Sequence, residues 1–321
     1  MGSLLSIVVP VFNEDGNVRP LFDALVPVLD STGMEWELIF SDDGSTDGTW
    51  SAIAALHEAD SRVKGLRLSR NFGHQYALFA GMSRATGNAI ISMDGDLQHP
   101  PELVPALVER WRAGDQIVHT VRKDEENVSA FKKWSSKIFY KIFSYLSDVE
   151  MEAGMADYRL LDRAVVDELM KFSEQGLFLR GIVHWVGYKS SKVEFVCGTR
   201  YSGESKYTFR RMLTLAWAGI TSFSVVPLRI SIVIGVLTSA LAFTEMLYAI
   251  YAKLFTDTAV PGWASAVAAV SFLFGILFIL LGVLGEYVGR VLIEVRGRPR
   301  FLIREHIGNI PTASRDFPPK A

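Results

Sequence analysis

The chain has 321 residues, 49% of them hydrophobic and 21% charged, with a formal net charge of −2. So even a balance supplies no global basic field for nucleic acid, and the single cysteine, Cys197, excludes an intrachain disulfide and any multi-cysteine metal site. The length allows one substantial core with about a hundred residues to spare.

Leu4–Val11 is a near-continuous apolar run, as befits a parallel strand covered on both faces. Similar short runs recur at 37–40, 63–68, 89–93 and 116–120, and helical patterns fall between them at 17–30, 47–59, 74–85 and 101–112. Alternation at this spacing predicts a doubly wound α/β domain, in which ligands bind beyond the carboxyl ends of the strands. Two amphipathic helices are expected next, at 130–146 and 206–223, the second lying in a membrane interface.

Two long apolar segments follow, about 225–251 and 263–287, each long enough to cross a hydrocarbon core of about 30 Å. Arg229 precedes the first, and Arg290, Arg296, Arg298 and Arg300 follow the second, whereas the connection 254–262 carries Asp257 and one flanking base, Lys253. The positive-inside rule therefore predicts a hairpin with both chain ends in the cytoplasm. Gly275, Gly282, Gly285 and Gly289 suit close helix packing, within the hairpin or between subunits. Glu245 and Glu286 are read as interfacial anchors or partners of a nearby arginine.

The expected organisation is a catalytic domain over 1–205, a juxtamembrane helix over 206–224, two transmembrane helices within 225–290, and a basic cytoplasmic tail over 291–321.

Polar motifs stand at three predicted strand ends: Asn13-Glu14, Asp42-Asp43-Gly44-Ser45 and Asp94-Gly95-Asp96. Asp94 and Asp96 would repel one another unless a cation lies between them, and Mg²⁺ or Mn²⁺ shared with a diphosphate meets that need; Asp-Gly-Asp also makes ordinary turns. Asp42 and Asp43 are placed to accept hydrogen bonds from a base or ribose, with Pro10, Asn13 and Glu14 as the neighbouring wall. Ser45 or Asp47 could equally cap the next helix. No GxGxxG follows the first strand and no P-loop motif occurs, against a dinucleotide oxidoreductase or a P-loop NTPase. The histidines His74, His99, His119 and His184 are scattered in sequence and predict no zinc cluster.

The ordered set Val9-Pro10-Val11-Phe12-Asn13-Glu14, Asp42-Asp43-Gly44-Ser45-Thr46-Asp47, Asn71-Phe72-Gly73 and Met93-Asp94-Gly95-Asp96-Leu97-Gln98-His99-Pro100 resembles the family 2 inverting glycosyltransferases with a GT-A, Rossmann-like fold. Arg200-Tyr201, Gly203-Glu204-Ser205-Lys206-Tyr207, Ser222-Phe223-Ser224 and Pro227-Leu228-Arg229 narrow this to the polyprenyl-phosphate glycosyltransferases, the group of bactoprenol glucosyltransferase and dolichol-phosphate mannose synthase. The resemblance covers nearly the whole chain.

It implies that Pro10, Asn13, Glu14, Asp42 and Asp43 hold the nucleotide, and that Asp94 and Asp96, helped by Gln98, hold the metal and diphosphate. Asp157 matches the acceptor-side acid, and Arg122, Arg200 and Lys206 would neutralise the acceptor phosphate. Because a phosphate with a second pKa near ~6 is already largely ionised, Asp157 is expected to orient groups more than to abstract a proton. Residues 152–156 lack an additional aspartate often found there, which bears on how the acceptor loop is ordered.

The implied reaction passes a hexose from a nucleotide-sugar donor to undecaprenyl phosphate at the bacterial inner membrane, with UDP-glucose favoured over GDP-mannose, UDP-GlcNAc or an amino-sugar donor. A homo-oligomer such as a tetramer is allowed. Two rival readings are a membrane nucleotidyltransferase and a membrane scaffold with a vestigial nucleotide domain.

Overall fold

The computed structural model describes residues 3–122, 155–176, 179–195, 226–255 and 262–311. These fall into two compact units, with 226–255 and 262–297 forming the second and the other described residues the first. The expected helices at 130–146 and 206–223, Cys197, Arg200 and Lys206 lie outside the described residues.

The first unit is built on one eight-stranded sheet. Its strands are β1 (Leu4–Val11), β2 (Glu35–Asp42), β3 (Val63–Leu68), β4 (Ala89–Ser92), β5 (Ile117–Arg122), β6 (Met155–Asp162), β7 (Ser190–Phe195) and β8 (Ile303–Ile307), in the spatial order β7-β5-β6-β4-β1-β2-β3-β8. Helices α1 (Asp15–Ser31), α2 (Thr49–Ala59), α3 (His74–Arg84) and α4 (Val104–Arg112) connect the first five strands, close to the sequence reading. Short helices α5 (Arg163–Leu169) and α6 (Leu179–Trp185) follow β6.

β1 pairs in parallel with β2 and β4, and β2 with β3. The sheet is nevertheless mixed, because β6 runs antiparallel to both β4 and β5. Sequence periodicity did not single out β6, whose first half carries Asp157 and Arg159 rather than an apolar run. Its reversed direction matters for the site: Ser92 at the end of β4 lies opposite Arg159, so the start of β6 joins the carboxyl edge of the parallel strands.

The apolar runs fill both faces. Leu5, Ile7, Val9, Leu38 and Phe40 pack with Val18, Leu21 and Leu25 of α1 and with Leu107 of α4. On the other face α3 lies so close that a Cβ built on Gly81 would fall 2.4 Å from Val8 Cγ1.

The predicted tail divides differently. The second apolar helix continues to Arg296 and ends at Gly297 in the left-handed conformation (φ 58°), which glycine adopts without steric cost. Residues 298–311 then belong to the first unit, where β8 pairs antiparallel with β3. Basic composition hid this strand, and a register shift opposite Arg67 and Leu68 breaks its period-two pattern.

In the second unit, α7 (Val226–Phe255) and α8 (Trp263–Arg296) each contain a 25-residue stretch long and apolar enough to cross a membrane. Their apolar side chains are exposed, among them Ile232, Leu237, Phe243, Phe272 and Phe278, which argues against the core of a soluble protein. Within the pair, Gly235 lies against Leu280. A Cβ built on Gly275, Gly282, Gly285 or Gly289 meets nothing within 4 Å among the described residues. Glu286 pairs with Arg290 one turn on, at 3.2 Å.

Candidate active site

The ends of β1 and β2 are tied together by the residues that the sequence singled out. Asn13, at a left-handed φ of 56°, donates its backbone N–H to Ser45 Oγ at 2.9 Å, and its side-chain oxygen accepts from the Thr46 N–H at 2.9 Å. The Glu14 N–H donates to Thr49 Oγ1 at 2.8 Å, and the Glu14 carboxylate accepts from the Asn17 amide. Pro10, the penultimate residue of β1, is buried just before this loop. Of the two capping candidates, Asp47 accepts from the Thr49 N–H at the start of α2, while Ser45 serves Asn13 instead.

Asp42 and Asp43 have different tasks. Asp43 takes the Phe72 and Gly73 N–H groups at 2.7 and 2.9 Å, so it anchors the N-terminal end of α3. Asp42, fully buried, accepts from the Ser45 N–H through Oδ1, whereas Oδ2 has no hydrogen-bond partner among the described residues and faces Arg67 Nε across 3.4 Å. Burial raises both carboxyls above their ordinary values, outweighing Ser45 and Arg67 at Asp42 and the two N–H groups at Asp43. Directly after them Gly44 sits at φ 74° with the Arg70 backbone 2.6 Å from where a Cβ would be, a place only glycine can fill.

Beyond β4, the Asp94 N–H donates to His99 Nδ1 at 3.1 Å, which leaves the His99 proton on Nε2, 3.7 Å from Asp94 Oδ2. His99 is held by stacking on Tyr158, with ring centroids 5.0 Å apart. Asp96 accepts from the Gln98 N–H through Oδ1, and Leu97 between them has a left-handed φ of 61°. Asp94 Oδ1 is buried with no hydrogen-bond partner among the described residues. A buried carboxylate oxygen without a hydrogen bond fits a hard divalent cation, which Asp94 and Asp96 would hold. No group of three or more His, Cys, Asp or Glu among the described residues is arranged to bind a metal alone, so the remaining ligands would have to come from a diphosphate, Gln98 or water.

Asp157 stands at the start of β6 and is almost wholly buried. Arg180 of α6 grips it bidentately at 2.9 and 2.8 Å, Arg159 reaches it at 2.7 Å, and Gln75 donates to it at 3.2 Å. Burial alone would raise its carboxyl, but Arg180 and Arg159 overcome this and hold it well below the usual carboxylate range. His74 Nε2 lies 3.4 Å from Asp94 Oδ1 and 3.8 Å from Asp157 Oδ2 and so bridges the two acids. Arg122 is exposed at the end of β5, on the same edge.

The histidines scattered in sequence thus pair in space. His74 and His99 flank Asp94, while His119 of β5 and His184 of α6 stack in parallel at 4.6 Å. Burial, with Arg159 and His184 nearby, pushes His119 from 6.5 down to about 3, a neutral ring at physiological pH. His74, Gln75, Arg67, Arg159 and Arg180 were not predicted as site residues. The only available signal for the first two was their position just after Asn71-Phe72-Gly73, and for Arg159 its place two residues from Asp157.

The model for glycosyl transferase family 2 matches residues 6–170. The chain belongs to that family. It is 41% identical over 303 residues to an uncharacterized glycosyltransferase, YkcC, of Bacillus subtilis, spanning 94% of both chains. It is 40% identical over 300 residues to the prophage bactoprenol glucosyl transferase homolog of Escherichia coli, covering 94% of this chain and 98% of that one. The SfII prophage-derived bactoprenol glucosyl transferase of Shigella flexneri is 39% identical over 306 residues, 95% of this chain and 99% of the other. The mixed sheet, with its acidic loops at one edge, is the GT-A domain of this glycosyltransferase.

Proposed function

We propose that this glycosyltransferase moves glucose from UDP-glucose to undecaprenyl phosphate, giving polyprenyl-phosphate-glucose and UDP with inversion at the anomeric carbon. The observation that carries this reading is likeness along nearly the full length, apolar helices included, to relatives named for bactoprenol glucosyl transfer. Exposed apolar side chains on α7 and α8 support a membrane hairpin, which keeps the domain where a polyprenyl substrate is.

In this reading Asp42, with Asn13, Glu14 and Pro10 around it, receives the nucleoside, and Asp43 fixes the start of α3 beside it. Asp94 and Asp96 would hold Mg²⁺ or Mn²⁺, which when bound neutralises charge on the departing diphosphate. An acceptor phosphate oxygen forms the new bond to the anomeric carbon, and the bond to the diphosphate breaks with its electron pair leaving on UDP. No proton has to be removed from a dianionic phosphate, and Asp157, clamped by Arg159 and Arg180, is too weak a base to remove one. Its work is to fix those guanidiniums and, through Gln75 and His74, the start of α3. Arg122, Arg200 and Lys206 are assigned to the acceptor phosphate.

A donor screen with purified enzyme, undecaprenyl phosphate and Mg²⁺ or Mn²⁺, read by mass spectrometry, tests this. A hexose adduct formed from UDP-glucose and lost in Asp96→Ala is expected. Adducts from another donor alone would refute the glucose assignment.

A further inference from the structure

We propose that Glu305, on the strand that follows both apolar helices, is a positioning residue for the nucleotide pocket, acting through Arg67 on Asp42. The inference rests on the reading of Asp42 as a nucleotide ligand and extends that pocket to the far end of the chain.

Asp42, Arg67 and Glu305 form a row across three neighbouring strands. Asp42 is the register partner of Arg67 between β2 and β3, and Arg67 is the register partner of Glu305 between β3 and β8. Each guanidinium nitrogen of Arg67 faces a different group. Nε faces Asp42 Oδ2 at 3.4 Å, Nη1 donates to Glu305 Oε1 at 3.1 Å, and Nη2 donates to the Ser45 carbonyl at 3.1 Å. Ser45 in turn donates its N–H to Asp42 and accepts from Asn13. The network therefore runs from the last strand to both strand-end loops of the nucleotide pocket.

The row depends on an irregularity. One step along β3, from Arg67 to Leu68, corresponds to two along β8, from Glu305 to Ile303. Such a bulge re-aims side chains. Ile303 packs with Leu68 on one face of the sheet, while Glu305 meets Arg67 on the other, above Trp50 of α2. A regular strand would put Ile303 and Glu305 on one face.

Asp42 is buried with an oxygen left open for a ligand, so it needs a cation near enough to stabilise the carboxylate yet not bonded so closely that it fills that oxygen. Arg67 meets this at 3.4 Å. Arg67 is about one-fifth exposed and would be drawn fully onto Asp42 without a competing anion, and Glu305, some two-fifths exposed, is that anion. Glu305 thus sets where Arg67 rests while remaining outside the pocket itself.

The test uses full-length enzyme in detergent. Binding of UDP with Mg²⁺ is followed by calorimetry, alongside steady-state kinetics with UDP-glucose and undecaprenyl phosphate. Glu305→Gln is expected to weaken UDP binding and raise KM for UDP-glucose about fivefold while kcat stays within about twofold, as coupled pairs of this kind do. Arg67→Gln combined with Glu305→Gln should bind UDP no worse than Arg67→Gln alone. His306→Gln, exposed on the same strand, should match the wild type, and thermal midpoints of all variants should report intact folding. Unchanged UDP affinity in Glu305→Gln would overturn the proposal, as would parallel loss of kcat and thermal midpoint with KM unmoved. If the wild type itself binds no nucleotide, the donor-site reading falls and this inference with it. Wild-type binding with an indifferent Glu305→Gln removes this inference alone.

Discussion

Glu37 and Asp42 are both buried carboxylates on β2, one near each end of the strand, and their surroundings are opposite in kind. Glu37 accepts from Ser6 Oγ, from the Thr86 N–H and hydroxyl, and from Lys64 Nζ at 2.5 Å. Burial would raise its carboxyl, but Lys64, Ser6 and Thr86 together lower it. Asp42 keeps an oxygen without a hydrogen bond and is raised by burial. At the amino edge of the sheet the acid is saturated and serves the fold. At the carboxyl edge Asp42 and Asp94 each keep an oxygen without a hydrogen-bond partner among the described residues, which costs stability.

The sharpest way to separate the two edges is Asp96→Ala, expected to lower kcat by about 10³-fold or more. Its thermal midpoint should stay near that of the wild type, since Asp96 is half-buried at the open edge. The reverse result is expected from Glu37→Ala, which strands the largely buried Lys64 ammonium and should cost about 3 kcal/mol in denaturant unfolding, with KM for the donor unchanged. Asp42→Asn should weaken UDP binding about tenfold, or ~1.4 kcal/mol, while stability moves by less than about 1 kcal/mol. A large loss of stability there would erase the contrast between the edges.

The smallest effect is a difference in sign with pH. Glu37 is lowered from its value of 4.5 in the unfolded chain, so its stabilisation is complete above 4.5 and is lost as pH falls through the folded value. Asp42 is raised from 3.8, so the folded state keeps a proton that the unfolded chain has released, and stability declines as pH rises from 3.8 through the folded value. Subtracting Glu37→Gln and Asp42→Asn from the wild type in acid denaturation profiles should therefore give difference curves of opposite slope.

Strands β1, β2, β3 and β4 were readable because their runs are largely apolar and buried, and the acids that follow mark the edge at which the candidate site lies. The position of Asp94 and Asp96 just beyond β4 was legible for that reason. The antiparallel strands were not, since β6 spends its first residues on Asp157, Tyr158 and Arg159, and β8 offers only Ile303 and Ile307 around three polar side chains. Arg67 illustrates a second limit. In sequence it is one polar position in a strand, and its importance arises from register with Asp42 and Glu305, which no local pattern encodes. His74 is similar, since its two acidic neighbours come from β4 and β6 ends far apart in the chain.

The placement of β8 also orders the protein's birth. Residues 303–307 leave the ribosome after both apolar helices, so β3 remains an open sheet edge throughout the synthesis of α7 and α8. An exposed edge invites pairing with other chains. Until β8 arrives, Arg67 also lacks Glu305, the partner proposed to steady it beside Asp42. A chain halted before residue 303 thus lacks both the strand that covers β3 and the carboxylate proposed to steady its donor site.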